Sequence, residues 1–215
     1  FQFLTVMNRL ISLLFVLIGL KGFSQGFEGL ISYEITHTSL DSTNNEIASM
    51  PTKLDFYISG ELARIDQSTK IGTQTTIIDT LLKRNILLIN LMDKKFGIIL
   101  NDNDTSDVEN IIYTEESDNF LDIECKKAII NSINKKTNRS TTSTIYYTNK
   151  IDNSYNINFK KLNGFPIYYE IISDNIISTY LAIEMTKKNI DPKIFEIDNN
   201  TSIYKMEEFK ALMTQ

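Results

Sequence analysis

The residues with chemistry to offer are few, and their spacing works against it. His37 is the one histidine in the chain, so a His-based triad or a multi-histidine metal centre within one chain is excluded, and a His at a strand end reads as a surface residue. Cys125, the one cysteine, sits in "IECKKA" beside Lys126 and Lys127, cations that would lower a thiol pKa if the three side chains converged. Strand alternation puts Cys125 and Lys127 on one face and Lys126 on the other, so a small buried residue is the reading. "NDNDTSD" sets Asp102, Asp104, Ser106 and Asp107 at calcium-loop spacing. Asp107 stands where that loop needs Gly and Tyr113 where it needs Glu, which leaves a hydrated turn.

Paired carboxylates fare no better. Glu115 and Glu116, like Glu207 and Glu208, are sequence neighbours and diverge on strand or helix alike. Glu170 and Glu184 could face each other across the last strand pair, although an outward face explains them as well. There is no Walker-type loop, GxGxxG, GxSxG or HExxH. The expectation is a protein with no catalytic residues, no metal and no cofactor, not an enzyme. A metal-assisted enzyme using Glu170, Glu184, Asp102 or Asp104 is the last-ranked alternative.

The formal charge of −5, from 22 basic and 27 acidic residues, leaves no basic footprint for nucleic acid. "MNRLISLLFVLIGLKGFSQ", from Met7, has the build of a secretory signal: Arg9, then apolar Leu10 to Leu20, then small Gly22 and Ser24 at the −3 and −1 positions. A membrane anchor is the competing reading of the run, which is short for a span. Cleavage is expected after Ser24, with residues 1–24 as signal and upstream residues and 25–215 as one β-rich domain. Removing 24 of 215 residues leaves 191, enough for one well-buried domain. With no lipobox-style Cys, the expected location is periplasmic or secreted, without a stable transmembrane anchor.

What must position any site is a sheet. In "LISYEIT" Ile31, Tyr33 and Ile35 share a face, and "KLDFYIS" repeats the pattern with Leu54, Phe56 and Ile58. Ser59-Gly60 links to "ELARIDQ" as a tight hairpin. "TQTTIIDT" and "RNILLINLM" form a second pair near Leu82 and Lys83. "NILLINL" is apolar on both sides and is expected where the core lies deepest. "VENIIYTEE", "KKAIIN", "STIYYTN" and "YNINFKKL" read as further strands. "FPIYYEII" and "NIISTYLAIEMTKK" form the last pair, with Ile177, Thr179, Leu181, Ile183 and Met185 on one face. "YKMEEFKALM" is a helix carrying Met206, Phe209 and Met213 on its apolar stripe. About ten antiparallel strands and one terminal helix argue a sandwich or a barrel-like sheet.

The series "GLISYEIT", "IECKKAII", "TIYYTN", "LNGFPIYYEI", "MTKKNIDPKIFEID" and "MEEFKAL", in that order, resembles a family of exported bacterial proteins known as domain of unknown function four-four-one-two, frequent in Bacteroidota. Asp122-Ile123-Glu124 stands where that family has Gly-Tyr before its Cys, and Tyr146-Tyr147 where it has Trp-Tyr. Such proteins are similar in layout to the LolA/LolB-like lipoprotein carriers. The resemblance implies a mainly β fold: an antiparallel, curved half-open barrel with a short C-terminal helix, after an N-terminal signal-peptide helix. It also implies an apolar lining, for which Tyr33, Phe56, Phe165, Tyr169, Leu181 and Ile183 are the candidates, able to take a lipid or an acylated protein. The function expected on this basis is a periplasmic or secreted non-enzymatic binding protein carrying lipid or another apolar ligand in a concave sheet. The alternative is an envelope protein–protein interaction or structural module, with a filled core and an exposed aromatic patch.

Overall fold

The computed structural model describes residues 26–40, 46–69, 72–91, 94–100, 107–134, 139–173 and 175–214. The segment expected to be a signal, and Asp102, Asp104 and Ser106 of the acidic turn, lie outside the described residues. Asp107 opens a strand. No helix among the described residues is long and apolar enough to cross a membrane.

Among the described residues, period-two alternation produces twelve strands, against the expected ten or so. They are β1 (Gly29–Ser39), β2 (Lys53–Ser59), β3 (Leu62–Thr69), β4 (Gly72–Asp79), β5 (Arg84–Leu91), β6 (Lys94–Leu100), β7 (Asp107–Phe120), β8 (Ile123–Asn134), β9 (Arg139–Thr148), β10 (Phe165–Ser173), β11 (Ile176–Lys187) and β12 (Ser202–Lys205), followed by helix α1 (Met206–Met213). They form one sheet in the order β12-β6-β5-β4-β3-β2-β1-β11-β10-β9-β8-β7, and the sheet is not closed. Two meanders, β2 to β6 and β7 to β11, therefore flank β1, which pairs with β2 on one side and β11 on the other. Every pairing is antiparallel except β12 against β6.

Short hairpins hold the meanders in register. Their turns use positive φ at Gly60, Lys83, Asn175 and the adjacent Leu121 and Asp122, the handedness that matches strand twist. Helix α1 starts with Glu207 and Glu208 in its first turn, and the Lys205 backbone N–H donates to Glu208 Oε2 at 2.9 Å. Its apolar stripe docks through Phe209, whose ring meets Phe96 at 5.6 Å, while Met213 stays 57% exposed.

The sheet is sided. Ile31, Tyr33 and Ile35, with Leu54, Phe56 and Ile58, point to one face and are buried there with Ile65, Ile130, Ile145, Ile167 and Tyr169; this is called the core face below. The isoleucines with no exposure at all, Ile31, Ile58, Ile145 and Ile167, are on β1, β2, β9 and β10. "NILLINL" is therefore not the deepest part of the core, and from Asn85 to Asn90 only Ile86 is fully buried. The reason is position: β5 is third from the β12 end, and its two apolar sides serve two thin coverings.

One covering is residues 188–201, which cross the opposite face of β3 to β6. Their turn Pro192–Phe195 buries Phe195, and Arg64 Nη1 donates to the Ile194 carbonyl at 2.7 Å while Arg64 Nε pairs with Asp66 at 2.9 Å. The other covering is residues 149–164, between β9 and β10, which lie on the core face.

Candidate functional site

Four of the six residues expected to line a cavity are brought together, within the core cluster. Tyr33, Phe56, Phe165 and Tyr169 are all buried in the core cluster. Phe56 and Phe165 meet edge to face at 5.2 Å; Tyr33 meets Tyr169 at 6.2 Å, and Tyr169 stacks on Tyr180 at 4.3 Å. These are favourable ring geometries, and they consume the faces a guest would need. The Tyr33 hydroxyl donates to the Pro166 carbonyl at 2.6 Å.

Leu181 and Ile183 are not part of this group. The β1–β11 ladder pairs Ser32 with Glu184 but Tyr33 with Ala182, so Ile183 is an extra residue in a bulge. Past the bulge the alternation inverts. Ala182 faces the core at 3% exposure, Leu181 takes the opposite face beside Tyr168, and Ile183 is 50% exposed. A strict period of two cannot anticipate that shift. A second bulge, at Ile167 between Pro166 and Tyr168, leaves Phe165, Ile167 and Tyr169 all buried.

The core face is filled by the chain itself. Ile151, Tyr155, Phe159 and Leu162, from residues 149–164, are buried in the cluster, with Phe159 meeting Tyr169 edge to face at 5.3 Å. The segment is not the strand expected from "YNINFKKL". Its asparagines and Asp152 satisfy the local backbone instead: Asp152 Oδ1 accepts from Ser154 N at 2.6 Å, Asn156 Oδ1 accepts from Phe159 N at 3.1 Å, and Asn153 Nδ2 donates to the Phe159 carbonyl at 2.9 Å. It spans from one meander to the other. Tyr155 donates its hydroxyl to the Gly60 carbonyl at 2.6 Å, and Tyr113 Oη accepts from Asn163 N at 3.1 Å. The clustered Asn residues were the sequence signal for this plug.

The opposite face of β7 to β11 is bare by contrast; no element among the described residues packs over it. Register places Tyr146 between Lys127 and Tyr168, and Tyr168 beside Leu181. The Phe120 ring stacks on Tyr168 at 5.3 Å. Around these half-buried rings stand Ile112, Ile133 and Ile172, between 42% and 46% exposed. Tyr168 donates to Glu170, and burial followed by that carboxylate pushes its phenol up. Lys127 Nζ pairs with Glu116 at 2.7 Å.

The remaining candidates are structural in their contacts. Glu170 pairs with Thr179 across the β10–β11 ladder and Glu184 with Ser32 on β1, so the two carboxylates are not opposed. His37 Nε2 donates to the Pro51 carbonyl at 2.7 Å, which leaves Nδ1 to accept from Ser178 Oγ at 2.9 Å; it ties three segments together rather than sitting free at the surface. Cys125 is fully buried, its thiol raised to about 11 by burial, with Lys150 rather than Lys126 or Lys127 the cation that opposes the shift.

Burial also raises the Tyr33 and Tyr169 phenols. Unfolded thiols and phenols ionise near 8.5 and 10, so the folded state keeps its full stability below about pH 8.5 and loses it as pH rises through the raised folded values. Thermal melts should hold level to about pH 8.5 and fall steeply above it, and Cys125→Ala should shallow the first part of that fall. The native thiol should ignore a disulfide reagent at neutral pH and react on unfolding.

No family model matches the chain, and no curated protein does. Among solved structures, that of PNGF-II in the P21 space group is similar, with a TM-score of 0.56 at 13% identity, over 87% of this chain and 34% of that one. The chain thus spans about a third of that protein's length, and at this identity the likeness concerns the β fold alone.

Proposed function

We propose that the protein is a non-enzymatic binding module of the bacterial envelope that docks a protein partner through the bare face of β7 to β11. The observation that carries this reading is the contrast between the two faces: the core face is covered by the chain's own plug, while the opposite face presents Ile112, Ile133, Ile172, Tyr146 and Tyr168 with no element among the described residues packed over them. Rings in a setting of exposed Ile have the make-up of an interface centre. A photo-crosslinking residue placed at Ile172 should give a discrete protein adduct in cells, lost when Ile133→Lys is added on the same face. No adduct, or one indifferent to Ile133→Lys, would remove this reading.

The half-open barrel belongs to this proposal. One contiguous cluster joins buried residues of β3 with those of β8, which stand far apart in strand order, and the plug bridges Gly60 and Tyr113 across the same interval. Both favour a sheet curved around residues 149–164.

The plug also supports a second reading, the lipid carrier implied by the resemblance. Residues 149–164 cover the core face with no ladder of their own and one short turn, Asn153–Tyr155, so their withdrawal would expose apolar lining without breaking the sheet. That reading predicts lipid bound to protein isolated from cells.

A further inference from the structure

The turn between β4 and β5 is built to hold two leucines out of the molecule. Leu81 and Leu82 are 75% and 61% exposed, adjacent, and at a hairpin tip, where Gly, Asn, Asp and Ser ordinarily stand. A single surface Leu needs no account, but a pair projecting from a tip does. The tip is rigidly tied. Thr80 N and Thr80 Oγ1 both donate to the Glu61 carbonyl, at 2.9 and 3.0 Å, Thr80 Oγ1 also donates to Glu61 Oε2 at 2.6 Å, and Leu82 N donates to Asp79 Oδ1 at 2.8 Å. Asp79, at the end of β4, and Glu61, in the neighbouring β2–β3 turn, are the acids that shape it.

Directly after the leucines come Lys83 and Arg84, both exposed. Lys83 takes a φ of 50°, which turns the chain back into β5 immediately behind the apolar pair. A cleft of about 310 Å³ separates the tip from the plug, and Lys83 and Lys160 are both among its lining residues. The chain as a whole is acidic, at −5, so this basic collar is local.

An apolar point with a cationic collar matches the boundary of an anionic bilayer, where acyl chains lie just beneath negative headgroups. We infer that the β4–β5 tip is a membrane-docking wedge: Leu81 and Leu82 enter the headgroup–acyl boundary of an anionic bilayer while Lys83 and Arg84 engage its charge. This contact is separate from the β7–β11 face and stands or falls independently of it.

The chain contains no Trp, so Leu81→Trp supplies a single reporter at the tip, and Leu212→Trp, on exposed α1, a control. The probe is a vesicle of about three parts phosphatidylglycerol to seven of phosphatidylcholine, with pure phosphatidylcholine alongside. Leu81→Trp emission should shift to the blue and be quenched by brominated acyl chains with anionic vesicles, with Leu212→Trp unmoved. Adding Lys83→Gln and Arg84→Gln should weaken partitioning roughly fivefold per charge. All these positions are exposed, and an unchanged far-UV spectrum checks folding. Unshifted emission, an equal shift at Leu212→Trp, indifference to the charge variants, or a shift produced only by membrane-free cell extract would each overturn the assignment.

Discussion

Phe165→Ala should cost about 3–5 kcal/mol of folding free energy, the range for truncating a buried aromatic. Phe165 is 1% exposed, sits edge to face on Phe56, and stands where the plug hands the chain to β10. Its loss therefore removes area from the core and a ring partner from β2, and leaves a cavity that the β1, β2 and β10 backbones are too firmly laddered to fill. Against a total of about 5–15 kcal/mol for a typical domain, the variant should sit near the edge of folding. Urea denaturation reads this directly: the midpoint should fall with the slope unchanged. Ile183→Ala, which truncates a side chain in a 50% exposed bulge, should stay within about 0.5 kcal/mol of the parent. Equal losses at the two sites would mean that the faces are wrongly assigned.

Gly164→Ala should be comparably damaging, for a different reason. Gly164 has a φ of 152°, a conformation L residues rarely adopt, and an added Cβ would lie 2.5 Å from Tyr147 Cδ2 and 2.7 Å from both Asn149 Oδ1 and the Thr148 carbonyl. Strain of about 1–3 kcal/mol from the backbone adds to about 1–3 kcal/mol from overpacking, because the Thr148 carbonyl is part of β9 and cannot move aside alone. Relief would come by lifting the end of the plug from Tyr147. The variant should therefore lose stability and also gain hydrogen exchange selectively in residues 149–164. Gly26→Ala, with open space around its Cβ, should leave both readouts unchanged.

These two positions lie in "LNGFPIYYEI", and its order is now explicable. Gly164 lets the chain pass flush against β9, Pro166 gives up its N–H where the β9 ladder shifts register, and Phe165, Ile167 and Tyr169 enter the core. The strands themselves were legible because alternation is a local property: Ile31, Tyr33 and Ile35 read as one face and are one face. What alternation could not carry was a break in its own count. The bulge at Ile183 reverses every side chain beyond it, which is why Leu181 and Ile183 were grouped with Met185 and are not with it. Nor could periodicity distinguish a strand from "YNINFKKL", whose spacing fits a strand while its Asn side chains bond locally and bend it into a plug. Glu170 and Glu184 were reachable only through register, which depends on the turn at Asn175 and on the same bulge.

The proposed molecule packs its interior with its own chain and meets partners from outside, by a sheet face and a leucine-tipped turn. Native mass spectrometry of the protein isolated from cells under mild conditions tests this most directly. The predicted spectrum carries the mass of the polypeptide without bound lipid; a reproducible adduct of acyl-lipid mass, displaced by added fatty acid, would contradict it and show that residues 149–164 yield their place to a guest.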